Sequence, residues 1–135
     1  DGYSYGVVTD VTLDNTRKYI TSFVLDVKGQ LMTLNGRYKS SLGKGSVVKI
    51  ITGSKGVESI SGLVEIKDTI SDIDYSSVYA GGKKYSISED VTVYEKSGEN
   101  YTLIKFADIM GVSGKNVHAY MSTSSLDKVR VIITE

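Results

Sequence analysis

The stretch from Lys115 to Ile133, KNVHAYMSTSSLDKVRVII, has the pattern of a β-hairpin. An apolar strand leads into a small polar turn, Ser122-Thr123-Ser124-Ser125, and a second apolar strand follows. The same pattern stands earlier, from Gly45 to Val64, GSVVKIITGSKGVESISGLV. Alignment sets Val47 against Val117, Val48 against His118, Ile51 against Met121, Val57 against Leu126, Ile60 against Val129 and Leu63 against Ile132. One extra residue sits in the earlier loop, where a hairpin tip absorbs it at little cost. A chain that repeats a long-range unit of this kind is two copies of one small β module. The aligned apolar positions are then the expected core: Val47, Ile51, Ile60, Leu63, Val117, Met121, Val129 and Ile132.

The rest of the chain falls into the same two halves. The first unit, residues 1–66, opens on Tyr5 to Val11 and turns at Asp14-Asn15-Thr16. From Lys18 to Val27 the residues alternate, and Tyr19, Thr21, Phe23, Leu25 and Val27 form the more apolar, core-facing set. Lys28-Gly29 turns into Gln30 to Leu34, and Asn35-Gly36 reads as a further tight turn. The second unit, residues 67–135, opens at Thr69 to Ile73, with Asp72 at the place of Asp10. A short strand at Ser77-Val78-Tyr79 turns through Gly81-Gly82 into Lys84 to Ile87. Val91 to Tyr94 is another strand, and Lys96 to Asn100 another turn. Residues 102–110 form the one helical pattern, with Thr102 as N-cap, Leu103, Phe106, Ala107 and Met110 on one face, and Gly111 as the stop. At two turns it is too short to stand alone and must plug a barrel or sheet. The expected fold is mainly β: two tandem barrel-like units, the second with one short helix. No linker-like composition separates them.

Composition excludes several classes of function. Sixteen Lys+Arg against sixteen Asp+Glu leave no net charge to attract nucleic acid or an anionic membrane. There is no cysteine, hence no disulfide, thiolate nucleophile or cysteine metal site. No apolar run approaches the roughly 20 residues that span a bilayer as a helix. The opening Asp1-Gly2-Tyr3 reads as a mature fragment or an excised domain.

Candidate chemistry is sparse. His118 is the single histidine, on the strand face opposite Val117, Ala119 and Met121. No carboxylate or nucleophile adjoins it in sequence, and its aligned counterpart is Val48, so it is not expected to be catalytic. Asp68, Asp72 and Asp74 lack the glycine and distal glutamate of a calcium loop. Asp10 and Asp72, repeated in place, suggest a turn or strand-end hydrogen bond. Gly43-Lys44-Gly45 and the segment 111–115 are not phosphate loops, because the GxxxxGK[ST] spacing is missing and strands follow them. Glu89, Asp90, Glu95 and Glu99 come without the apolar pocket that would raise a general acid. No catalytic residue, cofactor or metal site is therefore expected. The tyrosines Tyr79, Tyr85, Tyr94, Tyr101 and Tyr120 cluster in the second unit, as the large core-edge residues of a tryptophan-free β domain or as platforms for stacking a ligand.

With the repeat in view, the motifs YGVVTDV and TISDI, GQLMTL and GGKKYSI, and the two closing hairpins resemble a known kind of module. It is the small β-barrel repeat of Gram-positive, clostridial-type cell-surface proteins, often found in one polypeptide with S-layer homology domains. Tyr94 and Ala107-Asp108-Ile109 also fit that manner. The resemblance covers nearly the whole chain, yet every motif in it is a strand pattern, so no functional residue carries over. It implies a non-enzymatic spacer or assembly surface of an exported, extracellular cell-wall or cell-surface protein. Its implied partners are other domains of the same polypeptide or envelope components. A carbohydrate-binding module using the tyrosines, with a polysaccharide as partner, is the alternative. An OB-like nucleic-acid binder ranks below both because the chain is neutral.

Overall fold

The computed structural model describes residues 3–39, 41–53, 56–122 and 128–135. The chain is mainly β and divides into two compact units, Asp1–Gly62 and Leu63–Glu135. The division falls before Ile66 rather than after it. The reason is that Val64 and Glu65 pair with a strand of the second unit, opposite Met121 and Tyr120.

The first unit contains β1 (Tyr3–Leu13), β2 (Ile20–Val27), β3 (Gln30–Tyr38), β4 (Val47–Gly53) and β5 (Gly56–Gly62). They form one curled antiparallel sheet in the order β3-β2-β1-β4-β5. β1 serves two neighbours: residues from Tyr3 to Val7 pair with β4, and residues from Val7 to Leu13 pair with β2. Val8, Ile20, Phe23, Leu25, Leu34, Val48 and Ile50 make the core. Phe23 and Leu25 point inward as the alternation requires. Ile20 joins them because a register shift between Ile20 and Ser22 moves it to the inner face. That irregularity sits opposite Asn35-Gly36, which is therefore not a turn but part of β3, at a bulge. The Tyr38 ring lies over Gly36 and covers the backbone that the missing side chain leaves bare. The actual turn is Lys28-Gly29, with φ of 52° and 87°, the two-residue pattern of a primed hairpin turn. Asp26, otherwise an odd buried carboxylate, accepts the Gly29 N–H at 2.9 Å.

The second unit contains β6 (Val64–Glu65), β7 (Ile70–Ile73), β8 (Ser77–Ala80), β9 (Lys83–Ser97), β10 (Asn100–Ile104), β11 (Val117–Met121) and β12 (Val129–Thr134). The strands expected at Lys84 to Ile87 and Val91 to Tyr94 are one continuous element, β9. The neighbour order is β6-β11-β12-β9-β8-β7, with β10 on β9. β12 runs parallel to β9, and one antiparallel bridge joins Ile70 to Gly114, just ahead of β11. The order thus closes on itself: β7-β8-β9-β12-β11 and back to β7. Taking these as counterparts of β1, β2, β3, β5 and β4 gives each strand the same neighbours as in the first unit. This is the connectivity of a five-stranded Greek-key barrel of the OB type. Among the described residues, β3 and β5 form no ladder that would close the first unit in the same way.

The helix expected over residues 102–110 is absent. Thr102 and Leu103 belong to β10, which follows a two-residue turn after Ser97 and continues the ladder of β9, with Tyr101 edge-on to Tyr94. The sheet supplies this segment with partners for its backbone, whereas a two-turn helix would have to stand on its own weak propensity. What remains is a single 3₁₀ turn, Phe106–Ile109, whose Asp108 carboxylate accepts the Lys105 N–H at 3.2 Å. Its inward residue is Ile109, in the core with Ile70, Ile73, Val78, Val117 and Ile132. Leu103 and Met110, expected on the buried face, are exposed.

Both closing hairpins form: β4 with β5, and β11 with β12. The turn expected at Ser122 to Ser125, like Leu126, lies outside the described residues from 123 onward. Of the expected core, Val47, Val117, Met121, Val129 and Ile132 are buried. Ile51 and Leu63 are only partly so, because the hairpin alignment is wrong by one residue in the first strand and by three in the second; Ile60, the counterpart of Ile132, packs against the core but stays partly exposed on the edge strand β5. Gly45 donates to Val8 O and Gly114 to Ile70 O, each at 2.8 Å, and the bulges fall after Ile51 and after Tyr120. Gly45 is thus the counterpart of Gly114, and Val48 of Val117. The residue matching His118 is Lys49, not Val48. Such a slip exchanges the two faces of a strand.

Candidate functional site

Three groups of polar or aromatic residues merit attention. The first recurs in both units. Asp10 accepts the Val11 N–H at 3.0 Å, and Asp72 accepts the Ile73 N–H at 2.9 Å. Beside them, the Thr9 hydroxyl donates to Val24 O and the Ser71 hydroxyl to Tyr79 O. Each set sits at a register shift between the first two strands of its unit. The loop that follows is also repeated. Asp14 accepts the Lys18 N–H and the Thr16 hydroxyl. Asp74 accepts the Ser76 and Ser77 N–H groups and, on its other oxygen, the Tyr79 hydroxyl at 2.6 Å. For Asp74 the Tyr79 hydroxyl is the main cause holding its carboxyl below the usual range; the same bond raises Tyr79. Asp14 is also lowered: desolvation is the largest single influence and opposes this, but Thr16, the backbone donors of Tyr19 and Lys18 and the charge of Arg37 together outweigh it. These carboxylates order loops. Asp68, the third member of the acidic trio, packs instead against Gly81.

The second group lies on the outer face of β11. Glu65 Oε2 is 2.8 Å from His118 Nδ1, and Glu135 Oε2 is 2.6 Å from Nε2. Carboxylates ahead of the hairpin and at its far end thus supply what the neighbouring sequence lacks. Both contacts are hydrogen bonds together only when each ring nitrogen carries a proton, because ionised carboxylates only accept. Glu65 and Glu135 approach opposite nitrogens, so the three groups share no point at which an ion could sit. Among the described residues no set of three or more such donors is placed to hold a metal. Tyr120, two residues along the same face, is pushed up to about 12, first by burial and then by Glu65.

The tyrosines named from the sequence do not form one exposed platform. Tyr94 is fully buried, with 0% exposure, and so cannot stack a ligand. Tyr101 meets it edge-on at 6.1 Å between ring centres, and Tyr120 is half-buried nearby. Tyr79 is tied to Asp74, and Tyr85 packs against the core. Tyr75, which no motif singled out, is 81% exposed.

Tyr75 belongs to the third group, a cleft of about 440 Å³ in the second unit. The loop between β7 and β8 supplies Tyr75 and Ser76, the middle of β9 supplies Ser86 and Glu89, the 3₁₀ turn supplies Phe106, and Lys128 precedes β12. The Ile87 N–H donates to Ser76 O at 2.9 Å and fastens the loop to β9. The Ser88 hydroxyl, also in the lining, is already engaged: it donates to Asp90 at 2.5 Å and accepts from Arg130 at 3.2 Å.

Comparison with known proteins places the chain in no family: no family model, curated protein or solved structure matches it. No described helix is long and apolar enough to cross a membrane, which leaves membrane-crossing strands out of account.

Proposed function

We propose that this chain is a non-enzymatic structural and interaction module, a spacer or assembly surface, of an exported bacterial cell-envelope protein associated with an S-layer or cell wall. One observation supports the structural part. The polar side chains that recur between the units all bond to backbone of their own unit: Thr9 and Ser71 to the neighbouring strand, Asp10 and Asp72 to the next N–H at a register shift, Asp14 and Asp74 to their loops. What was duplicated is therefore the means of folding a small barrel. The envelope setting rests on the resemblance of the strand motifs. In it, the module's partners are neighbouring domains of the same polypeptide or other envelope components.

The test is surface labelling of intact source cells with a membrane-impermeant amine reagent, followed by capture of this chain. Labelling at the level of a known surface protein is expected. Labelling only after lysis would end the envelope reading and leave the module description to stand alone.

A further inference from the structure

We propose that the cleft of the second unit is a binding site for a neutral oligosaccharide, with Tyr75 as its stacking face. The proposal does not depend on the cell-envelope reading; it rests on comparison of the two copies and on the chemistry lining the cleft.

The loops β1–β2 and β7–β8 both open on a capping aspartate, although the first is six residues long and the second three. That aspartate, Asp14 or Asp74, accepts hydrogen bonds from the groups that follow. The residue after that aspartate is Asn15 in one copy and Tyr75 in the other. An aspartate can therefore open this loop without an aromatic residue after it. Tyr75 buries almost none of its ring, at 81% exposed, so it does not serve packing in its own unit. It is nevertheless held in place: Asp74 fixes the backbone on its far side, and Ser76 O accepts from Ile87 on β9. An exposed ring on an ordered turn is preorganised for a ligand, because its position costs little further entropy to fix.

The rest of the lining selects the ligand class. Phe106 offers a second aromatic surface, half-buried in the cleft. Ser86 supplies a hydroxyl that can donate or accept, Ser76, whose hydroxyl already donates to Asp74, supplies an acceptor, Glu89 supplies acceptors and Lys128 donors. Sugar hydroxyls also donate and accept, and the faces of pyranose rings present C–H groups to aromatic rings. The charges of Glu89 and Lys128 cancel, and the chain as a whole is neutral. A phosphate-rich strand, which needs a cationic groove, is therefore disfavoured. A lipid would lack partners for its surroundings, since acid, base and hydroxyls would be buried unpaired. The volume is that of an ordinary small-ligand site.

The experiment is a titration of the isotope-labelled full chain, followed by amide chemical shifts. The probes are a panel of neutral tetrasaccharides that includes cellotetraose and the tetramer of N-acetylglucosamine, with single-stranded oligothymidylate as the anionic comparison. At least one neutral probe is expected to bind with Kd of about 1 mM or tighter. Its shifts should be confined to residues 74–77, 86–91, 106 and 128. Tyr75→Ala should weaken binding about tenfold, the loss of one aromatic contact. Tyr3→Ala, which removes the other strongly exposed tyrosine ring, should leave binding unchanged. Because Tyr75 is exposed, its variant should retain the wild-type amide spectrum away from the loop. Failure of every neutral probe would overturn the proposal. So would shifts centred elsewhere, wild-type affinity in Tyr75→Ala, or salt-dependent preference for oligothymidylate.

Discussion

Ile132→Ala should be among the costliest single truncations in the second unit. Ile132 lies in the middle of β12, between β11 and β9, with 0% of its surface exposed, and belongs to the barrel core. The change removes three carbons, worth about 2.4 kcal/mol at about 0.8 kcal/mol each. If neighbouring strands held by ladders on both sides cannot collapse, a cavity of about 60 Å³ adds about 1.5 kcal/mol. The expected loss is therefore about 2.4–4 kcal/mol. Leu63, aligned with Ile132 by sequence, is partly exposed and belongs to neither core cluster, so Leu63→Ala should cost about 1 kcal/mol or less. Urea unfolding followed by circular dichroism gives the midpoints. Hydrogen exchange of the β11 and β12 amides reads the second unit without assuming that the whole chain unfolds in one step. Equal losses at the two positions, or a loss below about 1 kcal/mol at Ile132, would refute the face assignment of the closing hairpin.

Three further outcomes are expected. Gly6→Ala should destabilise the first unit by about 3 kcal/mol, the upper end for overpacking, because the new methyl would fall on the Asp26 carbonyl oxygen of the neighbouring strand; a denaturant midpoint near wild type would contradict this. Stability from the Asp74–Tyr79 bond should be present above the unfolded aspartate value of about 3.9 and fade as pH falls through the lowered folded value. It should fade again as pH rises past about 10 through the raised Tyr79 value, so thermal midpoints across pH should depend less on pH at both ends in Tyr79→Phe. His118→Val should cost about 0.5–1 kcal/mol, since its two contacts are on partly exposed side chains; a loss above about 2 kcal/mol in urea unfolding would show that the ring fastens β6 and the chain end far more strongly.

Much of this architecture was legible because its signals are local. The turns at Lys28-Gly29 and Gly81-Gly82 need backbone angles that few sequences supply, and both hairpins alternate over enough residues to declare themselves. The repeat of Asp10 in Asp72 marked a repeated hydrogen bond, although each lies at a register shift within its strand rather than at a turn or strand end. Three features escaped for physical reasons. Leu103, Phe106 and Met110 carry a helical spacing, but pairing of β10 with β9 competes for the same residues, and no local pattern reveals that partner. Asn35-Gly36 has turn chemistry, yet the matching irregularity on β2 makes it a bulge. The Glu65 and Glu135 contacts of His118 span 53 and 17 residues of sequence and arise only when β6 and the end of β12 flank β11. Tyr75 gave no signal at all, since nothing in a motif marks which tyrosine stays uncovered.

The one-residue correction to the hairpin alignment changes what the duplication implies. With Val48 opposite His118, the two copies would place an apolar residue and a histidine at one site, and histidine would look like a dispensable variant of a core position. With Val48 matched to Val117, both inner positions are buried valines. The outer positions are then Lys49, which lies over the Tyr3 ring, and His118 between two carboxylates. The inner face has therefore kept its chemistry while the outer face has diverged. The same division appears at the first loop, where the capping aspartate is common and the next residue is Asn15 or Tyr75. A duplicated β unit keeps its core and its caps, because each core residue and each cap is held by its own copy's stability. Residues outside that constraint can follow a partner, and in this chain the differences gather on the second unit's outer strand face and its cleft.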